Sequence, residues 1–214
     1  LTDYTLPPQL TLVAGMTGSG KTTFVNAYLK AERAAACRFI FDDLNRMWPR
    51  LAIPACYTLA QLEASLPSRW IAFNPLKLFP GDTKAALKWW CRWVFHCASR
   101  GPGKKMVVIP EVWRHCNPDT IPAELALLAQ AGRELNVELI VDTQRPELVN
   151  GSITGAATEL VCFKLIAGEA LRAVEKLWAD AGVACDRGKI SALSLGQFLA
   201  LNRLTGGTLA GRVF

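Results

Sequence analysis

The fold is decided by LTLVAGMTGSGKTTFVNAYL, Leu10 to Leu29. An apolar run with the character of a buried strand leads into Gly15. Four residues later come Gly20, Lys21 and Thr22, and a helical pattern follows. The spacing G-x-x-x-x-G-K-[ST] has a physical reason. Its glycines allow backbone angles that turn successive N–H groups inward, and with the helix N-terminus these make a cradle for phosphate oxygens. Gly15, Thr17, Gly18, Ser19, Gly20, Lys21, Thr22 and Thr23 are therefore candidate nucleotide-binding residues. Lys21 would reach the β and γ phosphates, and the Thr22 hydroxyl would ligate magnesium, so the expected cofactors are ATP and Mg2+. The alternative, a glycine-rich turn that binds nothing, is opposed by the strand before it and the helix after it.

Outward from this loop the same alternation continues. β-branched apolar runs predict strands near 9–14, 38–42, 69–73, 106–110, 137–142 and 159–165. Between them, helical periodicity predicts helices over roughly 21–33, 59–66, 82–99, 121–135 and 168–181. Such alternation implies a mainly parallel sheet with helices on both faces. The last stretch, GQFLALNRLTGGTLAGRVF, reads as two strands joined at Gly206 and Gly207, a C-terminal β-hairpin. At 214 residues the size prior favours a single domain, 1–214.

Hydrophobic residues at 51% against 20% charged exclude disorder. No apolar run reaches the roughly 18 residues of a membrane span; the richest, ALKWWCRWVFHC, is interrupted by Lys88 and Arg92. The chain opens on Leu1, so the sequence leaves room for a segment upstream. Seven cysteines with no C-x-x-C pair suit a reducing compartment. His96–Cys97 and His115–Cys116 lack a second pair at ligand spacing, which argues against a metal site.

The net charge of +6 is concentrated. Arg69 to Lys105 holds eight Lys or Arg and one acid, Asp82. Lys84, Lys88, Arg92, His96 and Arg100 recur every four residues along the predicted helix 82–99, joined by Lys104 and Lys105 in the next loop. This is either a stripe that follows nucleic acid phosphates or an ordinary solvated face. The interleaved tryptophans read as core.

The segment KKMVVIPEVW, Lys104 to Trp113, is an acidic strand with proline at position 110. Proline lacks a side-chain oxygen and an N–H, so it holds no metal water and continues no ladder. An extra strand and helix separate the second strand from this one, so the acidic strand should be parted from the phosphate-loop strand by another. VELIVDTQRPE would fill that gap, with Gln144 at its tip and Arg133 just before it.

These residues carry a resemblance. AGRELNVELIVDTQRPELVNGSITGAATELVCFKL is similar to the matching stretch of the FtsK-HerA superfamily of DNA-pumping ATPases, which carry an arginine before the fourth core strand and Gln-Arg-Pro at its end. FIFDDLNRMWP resembles the family's second strand. The compact size looks most like the genome-packaging ATPases of membrane-containing icosahedral viruses. The likeness spans about residues 9 to 212.

The resemblance implies an α/β P-loop NTPase fold of the RecA-like, ASCE type. It implies an ATP-hydrolysing translocase that pumps DNA, double-stranded by expectation, into a preformed capsid. Glu111 matches the general base, Gln144 the sensor of the γ-phosphate or attacking water, and Arg133 a finger inserted into a neighbouring subunit's site. The implied partners are DNA, a homo-oligomeric ring (a hexamer) and capsid vertex proteins, in the host cytoplasm or the virion. Pro110 departs from the family pattern and leaves two alignments open. Either Glu111 is the base, with Asp142, Asp42 or Asp43 compensating near the metal, or Glu111 is itself the metal-holding acid. Other functions the sequence allows are a P-loop kinase for a small acceptor, a filamentous-phage assembly or plasmid-transfer ATPase, and a degenerate ATPase acting as a switch.

Overall fold

The computed structural model describes residues 10–32, 36–45 and 47–213. The expected outer residues Gln9 of the first strand, Arg33 of the first helix and Phe214 of the hairpin lie outside these. The order along the chain is β1 (Leu10–Ala14), α1 (Lys21–Ala31), β2 (Cys37–Phe41), α2 (Trp48–Leu51), β3 (Ala55–Cys56), α3 (Leu59–Ser65), β4 (Trp70–Phe73), α4 (Thr83–Arg100), β5 (Lys105–Ile109) and α5 (Ala123–Ala131). Then come β6 (Val137–Thr143), α6 (Gly151–Ala156), β7 (Glu159–Phe163), α7 (Gly168–Ala179), α8 (Arg187–Ala192), β8 (Gln197–Asn202) and β9 (Thr208–Arg212).

Among the described residues the strands form one sheet in the order β3-β4-β2-β5-β6-β1-β7-β8-β9. The pairs from β3 to β7 are parallel, and β8 and β9 add antiparallel at one edge. The expected insertion of β6 between the acidic strand β5 and the phosphate-loop strand β1 is present.

Alternating side chains make two cores, because successive strand residues point to opposite faces. In β5, Val107 and Ile109 join a core built with α3, α4, α5, α6 and α7. Met106 and Val108 join another, covered by Val25 and Leu29 of α1 and by Met47 and Leu51 at α2. Helices thus cover both faces, which is why the central strands read as unbroken apolar runs.

Helix α4 starts where the Asp82 carboxylate accepts the Ala85 N–H at 2.9 Å. It buries Ala86, Leu87, Trp90, Cys91, Val94 and Ala98. Trp90 stacks on Phe73 with ring centroids 5.2 Å apart, so the tryptophans are core, as expected. Elements that the sequence did not suggest are short: β3, α2, α6 and α8. Among the described residues no helix is long and apolar enough to cross a membrane, and no group of three or more His, Cys, Asp or Glu could hold a metal ion.

Candidate functional site

The C-terminal ends of β1, β5, β6 and β7 meet at one edge of the sheet. The loop after β1 is fastened to its neighbours by main chain. Gly15 N donates to Thr143 O at 3.1 Å, at the last residue of β6, and Met16 N donates to Lys164 O at 2.8 Å, just past β7. The hairpin closes the far side, with Gly196 N donating to Ser19 O at 2.9 Å and Val213 N to Gly196 O at 3.0 Å. Two glycines are required by this packing. A Cβ on Gly15 would stand 2.6 Å from Phe163 Cβ. Gly20, at φ 117°, would bring one within 3.0 Å of the Phe163 ring and 3.2 Å of Gly196 Cα.

Inside the loop Lys21 is 6% exposed, and its Nζ donates to Gly15 O at 2.8 Å and Met16 O at 3.2 Å. The Ser19 hydroxyl is fully buried and has no protein partner. A buried polar atom of this kind calls for a ligand oxygen or water. With the Lys21 ammonium and the glycine cradle, it fits the tail of a nucleoside triphosphate. Thr22 and Thr23 follow in the first turn of α1, half-buried and exposed respectively.

Glu111 faces this cradle. Strand β5 ends at Ile109, and Pro110 lies one residue past it, so the proline breaks no ladder. Glu111 then adopts φ 47° and ψ 51°, a left-handed conformation that costs a residue with a Cβ about 1–2 kcal/mol. The turn takes its N–H out of the sheet and onto Asp142 Oδ1, 3.0 Å away. It also points the carboxylate, buried at 5% exposure, toward the phosphate loop, with Oε1 3.8 Å from Lys21 Nζ.

Gln144, at the tip of the adjacent strand β6, grips the same carboxylate twice. Its main-chain N–H donates to Oε2 at 3.1 Å and its side-chain amide donates to Oε1. The Gln144 amide oxygen accepts from the Thr17 hydroxyl at 2.6 Å, so a chain of hydrogen bonds runs from the phosphate loop through Gln144 to Glu111. One contact was not anticipated: Trp113 Nε1 donates to Glu111 Oε2 at 2.8 Å. Its signal was the spacing E-V-W, which a tight turn after Glu111 folds back on the glutamate. Arg145 lies over the Trp113 ring, its Cζ 4.9 Å from the centroid.

Not every candidate converges here. Arg133 is exposed in a short 3-10 turn before β6, at the opposite end of that strand. Seven residues of strand at about 3.3 Å each separate that end from Gln144. Of the three acids considered near a metal, Asp42 accepts the Met47 and Trp48 N–H groups at 2.8 and 3.0 Å and so orders the start of α2. Asp43 pairs with Arg114 at 2.6 Å, and Asp142 is at the site. Beside Asp43, His115 is buried, and burial pushes its imidazole down to about 4, so its 3.6 Å approach to Asp43 is that of a neutral ring.

The basic segment is also reduced. Lys104 is paired with Glu32 and with Glu138, the latter at 2.7 Å. Lys105 is 5% exposed and donates to the Gly101 and Leu135 carbonyls. They do not extend the stripe. Lys84, Lys88, Arg92, His96 and Arg100 are all exposed along α4, with Arg92 paired to Glu124.

No family model matches the chain. Protein P9 of Pseudoalteromonas phage PM2 is 24% identical over 173 residues, covering 81% of this chain and 76% of that protein. Among solved structures, the genome packaging NTPase B204 of Sulfolobus turreted icosahedral virus 2, in complex with ATP-gammaS, superposes with a TM-score of 0.75 at 15% identity over 98% of this chain and 100% of its own. VirB4 of Thermoanaerobacter pseudethanolicus superposes with a TM-score of 0.66 at 12% identity over 95% and 89%. The chain therefore has the mainly parallel P-loop NTPase fold of these proteins, and the structural likeness to the genome packaging NTPase B204 extends over nearly its whole length.

Proposed function

We propose that this chain is an ATPase that translocates DNA, double-stranded in the working case, into a preformed viral capsid. It acts as a homo-oligomeric ring, a hexamer, docked on capsid vertex proteins, in the host cytoplasm or the virion. The observation that carries this reading is the convergence of Lys21, Glu111 and Gln144 from three strand ends on one phosphate cradle. The similarity to B204, whose structures hold nucleotides, supports ATP as the ligand.

Phosphoryl transfer needs mainly positioning and charge stabilisation. The N–H groups of Thr17 to Thr22 would hold the β-phosphate, and Lys21 would give up its loop carbonyls for phosphate oxygens. Thr22 would hold magnesium, with Asp142, which accepts the Glu111 N–H, as the candidate acid at the altered strand end. When bound, the ion neutralises charge on the β and γ phosphates. Glu111 then orients the attacking water and takes its proton. Gln144, bonded to both Thr17 and Glu111, couples phosphate contact at the loop to the position of the base. Arg133 lies too far along β6 to serve its own site. That supports its action as a finger on the transferring phosphoryl group of a neighbouring copy. The exposed cations of α4 are the candidate DNA contact.

The deciding experiment is ATP hydrolysis with and without double-stranded DNA. Stimulation by DNA supports the motor. DNA-indifferent phosphoryl transfer to a small acceptor would instead make it a kinase, and binding without turnover a switch.

A further inference from the structure

We infer that Trp113 and Arg145 are positioning residues for the Glu111 carboxylate, an inference that rests on the ATPase reading. A glutamate carboxylate hangs on three rotatable bonds and accepts about four hydrogen bonds. A base must present one oxygen lone pair to water in a fixed direction, and an error of 1 Å costs on the order of a hundredfold in rate.

Here Oε2 is held by two rigid donors, the Gln144 N–H at the end of a buried strand and the Trp113 indole N–H. The indole donates along one direction only, so with the Gln144 amide on Oε1 it restrains the carboxylate at both oxygens. Trp113 is half-buried and packs against the core. The turn that begins at Glu111 brings the indole N–H back onto the carboxylate. The Arg145 guanidinium lies over one face of the ring, and the Arg145 main-chain N–H donates to Thr143 Oγ1 at 2.9 Å. Two consecutive residues at one strand end, Gln144 and Arg145, thus brace the glutamate that follows the adjacent strand, the first directly and the second through tryptophan.

The test compares Trp113→Phe and Arg145→Ala with the wild type, singly and combined. Trp113→Phe keeps an aromatic face for Arg145 but loses the N–H. It is expected to lower kcat about tenfold to a hundredfold while KM and the affinity for a non-hydrolysable ATP analogue stay within about threefold. Arg145→Ala is expected to lower kcat less, by about threefold to tenfold, and to add little in the Trp113→Phe background, because it acts through the same bond. Crystal structures of the wild type and Trp113→Phe give a readout independent of turnover, with the Glu111 carboxylate expected to rotate or lose order in the variant. Turnover within about twofold of wild type, loss of analogue binding along with turnover, or a carboxylate that keeps its place in Trp113→Phe would each overturn the inference. A wild type that binds ATP without hydrolysing it would overturn the ATPase reading instead, and the crystallographic comparison would still decide whether Trp113 holds the glutamate.

Discussion

The two ends of β6 differ in how much of their chemistry is supplied from within the chain. At the C-terminal end, Gln144 is bonded to Thr17 and Glu111, and Glu111 in turn to Trp113, with Lys21 close by. At the N-terminal end, Arg133 is exposed, and among the described residues its guanidinium has no hydrogen-bond or ion-pair partner. One end is a site with its parts assembled; the other offers a cation to something outside the chain. A head-to-tail contact between copies brings opposite ends of neighbouring sheets together, and such contacts form a ring when the rotation between copies closes. The lesson of the comparison is that nearly all of the proposed catalytic apparatus can be present while the step that needs a second copy is missing.

The sharpest way to break this contrast is at Arg133. Arg133→Ala should reduce ATP turnover in the assembled state by about 10³-fold or more, with nucleotide affinity retained, as read by steady-state hydrolysis and calorimetry. A loss of under about fivefold would reduce Arg133 to a surface charge near a helix end. At the opposite end, Glu111→Gln should lower kcat by about 10²–10⁴-fold and trap ATP with magnesium. If magnesium-dependent binding disappears instead, Glu111 is the metal-holding acid.

A smaller effect belongs to α4. Lys84→Ala with Lys88→Ala should weaken DNA binding and flatten the slope of log affinity against log salt by about 2, roughly one for each phosphate contact. An unchanged slope would make this face an ordinary solvated one.

The smallest effect on function, though measurable in stability, comes from His115. Its folded imidazole titrates at about 4 because burial, with Arg114 and Lys84 nearby, disfavours the cation, while an unfolded histidine titrates near 6.5. Between those values the unfolded chain binds more protons, so stability is full above about 6.5 and falls as pH drops toward 4. The loss amounts to about 3 kcal/mol at most. Asp43 works against part of it, since burial raises its carboxyl and so favours the folded state as pH falls. The thermal midpoint of wild type should fall relative to that of His115→Phe as pH drops across this range.

Much of this was legible in the sequence for local reasons. The phosphate loop depends on contiguous residues, and the place of β6 between β5 and β1 followed from counting strands. The tight clasp on Glu111 was less legible, because Gln144 and Trp113 reach it from 33 residues away and from 2, and only the second is a local pattern. Lys104 and Lys105 show the limit most clearly. Their charges are visible in the chain, but Glu138 and the Leu135 carbonyl, which occupy them, come from a different strand and turn. The short α6 and α8 escaped notice because Ile153 and Ile190 are the single buried residues in each, too few to make a period.

The most direct test mixes the two defective forms. Arg133→Ala carries Glu111 and lacks the finger; Glu111→Gln carries the finger and lacks the base. Each alone should be nearly inactive. Combined in equal amounts under assembly conditions with DNA, about a quarter of the junctions between copies would hold one intact half from each, and turnover should recover toward that fraction. Mixed assemblies as inactive as their components would contradict a site shared between copies.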